Sequence, residues 1–409
     1  MSLYRAAWLL PISQPPIRDG WIRTDAGRIV ALGAHTRGNR GPADEIDLGQ
    51  VAVLPGLVNA HAHLELSWLR GRVPQADNFL DWIRCVVGHI ARTDKRTDAP
   101  RAAIHDAIVE ARDCGTVLIG DISNDLVTSQ PLADQRMAAL VFHELIAFNA
   151  ANAQRTVSAA LERLSTLPPT PGVRHTLAPH APYSVSPALF ESIRTALRSN
   201  PVGVTSVHLG ESTAELQFLR DGSGPWREFL DDVKAWDPAW TPPRCGPVEY
   251  LDRLAFLDRQ TLAVHGVHLR RDELQTLADR KSTLVTCPRG NRLTGAGSPP
   301  VSAFYASGVR VAIGTDSLAS VPDLNLFSEL SELRRIACDV PAGALLESAT
   351  LSGARALGFD AEFGSLEAGK RASLIAVALP AGVQDDVEEY LVSGITRTDI
   401  SIIDGSQTQ

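Results

Sequence analysis

From about residue 53 to residue 316, short apolar runs ending in polar or ionisable residues alternate with longer stretches of helical periodicity. Eight such runs recur: Val53–His63, Thr116–Ser123, Ala138–Ile146, Val173–His180, Gly203–Glu211, Leu262–His268, Thr283–Asn291 and Val309–Asp316. Short apolar runs of this kind suit buried strands. Between them, residues 100–114 put Ala103, Ile104, Ala107, Ile108 and Ala111 on one helical face, and residues 187–197 repeat the pattern. Strand then helix, eight times over, predicts an α/β fold, a (β/α)8 TIM barrel with an outer ring of helices. In that architecture chemistry sits at the carboxyl ends of the strands, where this chain keeps its histidines.

The flanks read differently. Asp19-Gly20 through Gly33 are short alternating segments punctuated by glycine and aspartate, the grammar of hairpins. Residues 363–377 and 400–404 have the same character. Strands from both termini pair most simply into one small β-sandwich, dividing the chain into residues 1–53, a barrel over 54–360, and 361–409. Residues 221–249, with Trp226, Trp236 and Trp240, form a long excursion after the fifth strand that either walls a pocket or packs the loop against the body. Residues 324–337 and 342–357 read as amphipathic closing helices.

Composition narrows the class. At 409 residues, with 44% hydrophobic and 21% charged, the chain buries a substantial core and is not disordered over most of its length. A net charge of −8 argues against a nucleic-acid surface. No apolar stretch reaches membrane-spanning length, and the apolar start is broken early without a convincing cleavage site. Cys85, Cys114, Cys245, Cys287 and Cys338 stand far apart, which favours a reducing compartment, the cytoplasm. The expectation is a small-molecule partner, no nucleic acid and no membrane, with the chain alone or as a homodimer.

A strand points alternate side chains to one face, so His61 and His63 share a side and Ala62 takes the other. Two imidazoles on one face can chelate one metal. Nucleotide-editing deaminases share the pattern of His63-Leu64-Glu65 but need a Pro-Cys-x-x-Cys that this chain lacks. His143-Glu144 is not followed by the second histidine of a helical metalloprotease. His208 ends another run with Glu211 three residues later, the first placed to bind metal and the second to move protons, and Asp316 closes the eighth run. Three imidazoles and one carboxylate suit a borderline divalent ion, zinc or iron, with one position left for water.

In combination, Pro55-Gly56-Leu57-Val58-Asn59-Ala60-His61-Ala62-His63, His208-x-x-Glu211, Val264-His265-Gly266-Val267-His268 and Gly314-Thr315-Asp316-Ser317 resemble the amidohydrolase superfamily, more narrowly its deaminase and chlorohydrolase branch. The resemblance spans nearly the whole chain, flanking strands included. It implies that His61, His63, His208 and Asp316 bind one metal ion, zinc before iron. It further implies that Glu211 handles substrate protons, Asp316 accepts the proton of the attacking water and His265 orients that water, with His268 left a structural role. Two-metal members place a modified lysine at a middle strand end; residues 119–122, 142–144 and 177–180 offer none, so one metal is expected.

Substrate choice rests on fewer letters. Ala178-Pro179-His180-Ala181-Pro182-Tyr183-Ser184 resembles the stretch that meets nucleosides in adenosine-analogue deaminases, which implies a sugar or ring contact for His180; a buried loop histidine is the alternative. Cys287-Pro288-Arg289-Gly290-Asn291-Arg292, Leu64-Glu65-Leu66-Ser67 and Phe79-Leu80-Asp81-Trp82-Ile83 look like the aminodeoxyfutalosine deaminases of menaquinone synthesis, whose substrate is an adenine nucleoside extended by a benzoate. Arg289 would then meet that carboxylate, unless an internal acid holds it, and Trp82 would stack on a ring or sit in the core. Val321, Ser373 and Gly290 depart from the usual pattern, the last at the pocket. The resemblance thus implies a mononuclear aminohydrolase for an adenine-type nucleoside, 6-amino-6-deoxyfutalosine first. S-adenosylhomocysteine or methylthioadenosine, guanine and chloro-triazines follow as alternatives, and a catalytically silent scaffold of the same fold is the reading from a different class.

Overall fold

The computed structural model describes residues 1–35, 45–93, 98–200, 202–381 and 386–404. Its strands, in chain order, are β1 (Ser2–Leu9), β2 (Ile17–Asp25), β3 (Arg28–Ala34), β4 (Glu45–Asp47), β5 (Val51–Pro55), β6 (Leu57–Ala62), β7 (Thr116–Ser123), β8 (Ala138–Leu145), β9 (Val173–Pro179), β10 (Thr205–Leu209), β11 (Thr261–His265), β12 (Thr283–Thr286), β13 (Arg310–Ile313), β14 (Ser373–Ala378) and β15 (Ile400–Asp404). The run leading into the histidine pair is therefore two strands and not one. Pro55 ends β5, Gly56 donates its N–H to the Ser373 carbonyl at 2.9 Å, and β6 starts afresh. A Cβ at Gly56 would lie 2.2 Å from a Val117 methyl carbon, so the chain passes this point only as glycine.

The chain divides into two compact units. The first comprises Met1–Asn59, Val109–Leu118 and Asn325–Gln409. Here strands from both termini join in one seven-stranded sheet, ordered β15-β14-β5-β1-β2-β3 with β4 beside β1. The β2–β3 hairpin turns through Ala26 and Gly27, both at positive φ (46° and 74°), the primed turn whose twist matches that of its strands. Leu9, Ile22, Ile29, Val53, Leu374 and Ala376 form its core, and burying the larger of these contributes about 1.5–3 kcal/mol each.

The second unit, Ala60–Ile108 and Ile119–Leu324, carries most of the barrel. Its strands run in the orders β6-β7-β8-β9 and β10-β11-β12-β13. Between β9 and β10, the His208 N–H donates to the His180 carbonyl at 2.8 Å. At the other seam, the Thr315 N–H donates to the His61 carbonyl at 3.1 Å, and Ala62 bridges Asp316 in parallel. Eight strands thus close on themselves as a TIM barrel. Every residue of β8, β10 and β11 is buried, as strands covered on both faces must be. Helices Asp98–Asp113 and Pro187–Leu197 follow the periodicity closely, the latter capped by Ser186 accepting from the Leu189 N–H. The excursion after β10 contains helix Pro225–Asp232. No helix among the described residues is long and apolar enough to cross a membrane.

Candidate active site

The carboxyl ends of three barrel strands, β6, β10 and β13, bring three imidazoles and a carboxylate together. His61 lies in β6 and His63 one residue beyond it, with their Nε2 atoms 3.1 Å apart. In β10, His208 donates its Nδ1–H to the His180 carbonyl at 2.9 Å, which leaves the Nε2 lone pair 3.3 Å from His63 Nε2. Asp316, three residues past β13, places Oδ1 3.6 Å from His63 Nε2 and 4.0 Å from His61 Nε2, while Oδ2 accepts from the Ser320 hydroxyl at 2.9 Å. Four donors held tetrahedrally at the usual nitrogen and oxygen distances from a zinc-sized ion stand about 3.3–3.6 Å apart. The His61–His63, His63–His208, His63–Asp316 and His61–Asp316 separations, 3.1 to 4.0 Å, bracket that spacing. Burial, reinforced by neighbouring histidines, lowers the pKa of His61 and His63 well below the ordinary range, and burial takes His208 to about 4. The imidazoles are neutral and offer lone pairs, so the donor set fits a divalent ion.

Glu211, two residues past β10, sets Oε1 3.4 Å from Nε2 of His265, the last residue of β11. His265 donates its Nδ1–H to Asn291 Oδ1 at 2.8 Å, which turns Nε2 toward Glu211. Burial, with nearby Asp316 and Glu215, holds the Glu211 carboxyl well above the usual carboxylate range, and burial raises Asp316 to about 6. His265 (φ 77°) and Asp316 (φ 61°) both sit in the left-handed region, a conformation that costs non-glycine residues roughly 1–3 kcal/mol each. Two such residues in one site mark a geometry the surrounding fold enforces. His268 points elsewhere, its Nε2–H donating to the Ala296 carbonyl at 2.8 Å.

Several supporting residues escaped the sequence reading. Buried Glu215 accepts from the Gly210 and Glu211 N–H groups, both at 3.0 Å, and so fixes the turn that carries Glu211. Glu65 accepts from the Ser123 hydroxyl and from the N–H groups of Asn124 and Asp125, while Asp121 accepts from the Leu64 N–H at 2.9 Å. These carboxylates brace the segment that follows His63. Glu144 lies 3.6 Å from His208 Nδ1 and accepts from Asn124 at 2.9 Å. Glu65 and Asn291 fall inside stretches singled out by the sequence; what pointed to them was polar character just past a strand end, with no spacing to assign a role.

A cavity of about 290 Å³ opens from this cluster. His63, His208, Glu211, His265 and Asp316 line its buried end, and His180 and Trp82 line it as well. His180 Nδ1 pairs with the Ser184 hydroxyl at 2.6 Å, and burial lowers its pKa to about 4. The tryptophan-rich excursion does both things expected of it as alternatives. Trp226 lines the cavity and stacks on Tyr183 with ring centres 3.7 Å apart, whereas Trp240 stacks on Phe218 at 4.7 Å and Trp236 on Phe148 at 5.5 Å. Arg289 is not among the described lining residues. Its guanidinium donates to the Asp323 carboxylate and carbonyl, both at 3.0 Å, the internal pairing the sequence left open.

The profile of the amidohydrolase family matches residues 52–403. The 5-methylthioadenosine/S-adenosylhomocysteine deaminase of Moorella thermoacetica is 30% identical over 440 residues, spanning 98% of this chain and 92% of that protein. The aminodeoxyfutalosine deaminase of Nitratiruptor sp. is 30% identical over 345 residues, spanning 83% and 82%. Among solved structures, an adenosine deaminase from Xanthomonas campestris with bound zinc matches at a TM-score of 0.81 and 27% identity, covering 99% of this chain and 92% of its own. Helicobacter pylori aminofutalosine deaminase in complex with methylthio-coformycin reaches 0.87 at 23% identity, covering 99% of each chain, a likeness of fold.

Proposed function

We propose, from the premise that this chain belongs to the amidohydrolase family, that it hydrolyses the 6-amino group of an adenine nucleoside. The chain is a hydrolase acting on carbon–nitrogen bonds. The observation that carries the finer reading is the facing pair of Glu211 and His265, 3.4 Å apart, beside the four-donor cluster. A carboxyl whose proton burial favours, next to an imidazole whose proton burial disfavours, is the division of labour that hydrolysing an aromatic amidine requires.

His61, His63, His208 and Asp316 would hold one divalent ion, zinc in this reading and iron as the alternative. When bound, that ion supplies a Lewis acid that draws the pKa of water toward neutrality. The protein's own groups do the rest. Glu211 donates its proton to the ring nitrogen beside C6, which makes that carbon electrophilic. His265, held by Asn291, presents Nε2 to the attacking water and keeps it on line. Asp316, its carboxyl raised by burial to about 6, accepts the proton the water gives up and passes it to the departing amine. As the carbon–nitrogen bond breaks and ammonia leaves, the C6 hydroxyl gives its remaining proton back to Glu211, and oxygen ends doubly bonded to C6 with the ring nitrogen protonated. His180 and Trp82 line the route by which the nucleoside reaches these groups.

The relatives' names bring two kinds of tail, a thioether in methylthioadenosine and S-adenosylhomocysteine and a benzoate in aminodeoxyfutalosine. The cavity's aromatic and aliphatic walls suit a thioether or the face of a benzene ring. With Arg289 engaged by Asp323, the reading of a benzoate clamp loses its cation. The test is to load the protein with zinc and offer adenosine, methylthioadenosine, S-adenosylhomocysteine and 6-amino-6-deoxyfutalosine, following the adenine-to-hypoxanthine absorbance change and ammonia release. Turnover of at least one is expected; turnover of none overturns the reading.

A further inference from the structure

We propose that the exposed end of the cavity reads the nucleoside's 5′-substituent by its apolar area and not by its charge, and so accepts alkylthio and arylalkylthio tails longer than methyl. This rests on the adenine-nucleoside reading above and names the substrate class within it. Three large apolar side chains that stand open to solvent converge on the cavity from separate elements: Val87 (40% exposed) on helix Phe79–Arg92, Ile146 (54%) just past β8, and Val233 (48%) at the end of helix Pro225–Asp232. Singly, exposed apolar residues mean little; gathered around one opening they form a patch that water disfavours and a ligand can cover. Behind them Phe79, Trp82 and Leu230 are buried in the walls, so the apolar surface continues inward from the rim toward the polar end.

No lysine or arginine occurs among the described residues lining the cavity. Two cations near it in sequence are engaged elsewhere. Arg84, on the same helix as Val87, lies 3.9 Å from Asp81 and 4.0 Å from Asp232. Arg227, on the helix that leads to Val233, pairs with Asp231 at 2.9 Å and covers the Trp236 ring at 3.7 Å. Lys234 follows Val233 but does not line the cavity. Among the described lining residues a carboxylate at the end of the tail therefore meets no cation, whereas each methylene laid on this surface leaves water.

The experiment compares kcat/KM of the zinc-loaded protein for adenosine and its 5′-methylthio, 5′-propylthio, 5′-benzylthio and 5′-(4-carboxybenzylthio) derivatives. We expect a rise of about two- to fourfold for each added methylene, and no gain from the carboxylate on the benzyl ring. Val233→Lys and, separately, Val87→Lys should each raise the ratio of carboxybenzyl to benzyl substrate by about tenfold, because either supplies the missing cation at an exposed position. A series that does not respond to tail length overturns the proposal. So does a wild-type preference for the carboxylated tail that disappears in Lys234→Ala. Binding of the same nucleosides to Glu211→Gln reads tail preference without turnover: graded affinity there beside a metal-loaded wild type that deaminates nothing would sink the deamination reading and keep this one, while wild-type turnover with flat affinities would do the reverse.

Discussion

The two ends of the cavity are built by opposite means. At the buried end, polar side chains project from strand termini, and a hydrogen-bond partner fixes each one considered: His208 by the His180 carbonyl, His265 by Asn291, Asp316 by Ser320. At the exposed end, apolar side chains come from helices Phe79–Arg92 and Pro225–Asp232 and from the loop past β8, and their directions are set by packing. The contrast teaches where chemistry and selectivity reside. A reaction needs atoms held to fractions of an ångström on rigid elements, while a tail needs only area, which loops and helices can supply and vary.

The sharpest way to break this contrast is to remove one proton and leave everything else. Glu211→Gln keeps the shape of the side chain and touches none of the four donors, so metal content should stay at the wild-type level while kcat falls about a hundredfold or more. Parallel loss of metal and activity would assign Glu211 to the cluster instead. A smaller effect is expected one step back. Asn291 acts as a positioning residue, so Asn291→Ala should lower kcat by about tenfold with the metal retained. Asn291→Asp restores the acceptor but favours the imidazolium form of His265, so kcat should largely recover while the acid limb of the pH profile moves upward. An unmoved profile in both variants would reduce Asn291 to a packing role.

At the apolar end, Trp82→Leu should raise KM by about two- to tenfold and leave kcat nearly unchanged, the reverse of the pattern at Glu211. A kcat effect of equal size would mean that the wall also aligns the reacting carbon. The smallest effect expected is on stability. Burial raises the Glu215 carboxyl to about 8, so the folded state binds a proton that the unfolded chain releases near pH 4.3, its ordinary value being about that. Its contribution is present in full below that pH and is lost as pH rises toward 8. Glu215→Gln cannot ionise, so the decline of Tm between pH 5 and 8 should flatten, by on the order of 2 °C, in calorimetry at fixed metal loading. An unchanged slope would show that the carboxyl stays charged.

This division also explains what could be read from the letters. The eight strands, and the gathering of His61, His63, His208, Glu211 and Asp316 at their ends, were legible because barrel strands repeat at short range; His265 was singled out from His268 only by the family resemblance. The split at Gly56 was not legible, since Val51–Leu54 and Leu57–Ala60 are both largely apolar and only pairing with β14 tells them apart. Glu215, Ser320 and Glu65 were missed because an acid or hydroxyl that accepts from a nearby backbone or carboxylate has no periodic signature. Arg289 shows the converse: a cation beside a strand end suggested a ligand, and an acid 34 positions along the chain holds it. The cavity walls were harder still, because which face of a helix meets a cavity depends on what packs behind it.

The claim under all of this is that four side chains distant in sequence hold one divalent ion. Elemental analysis of purified protein against three single variants, His61→Ala, His208→Ala and Asp316→Ala, tests it most directly. One equivalent of ion per chain in the wild type, lost together with activity in each folded variant, is the predicted result. Wild-type protein that turns over substrate with no ion, or variants that keep a full equivalent, would contradict it.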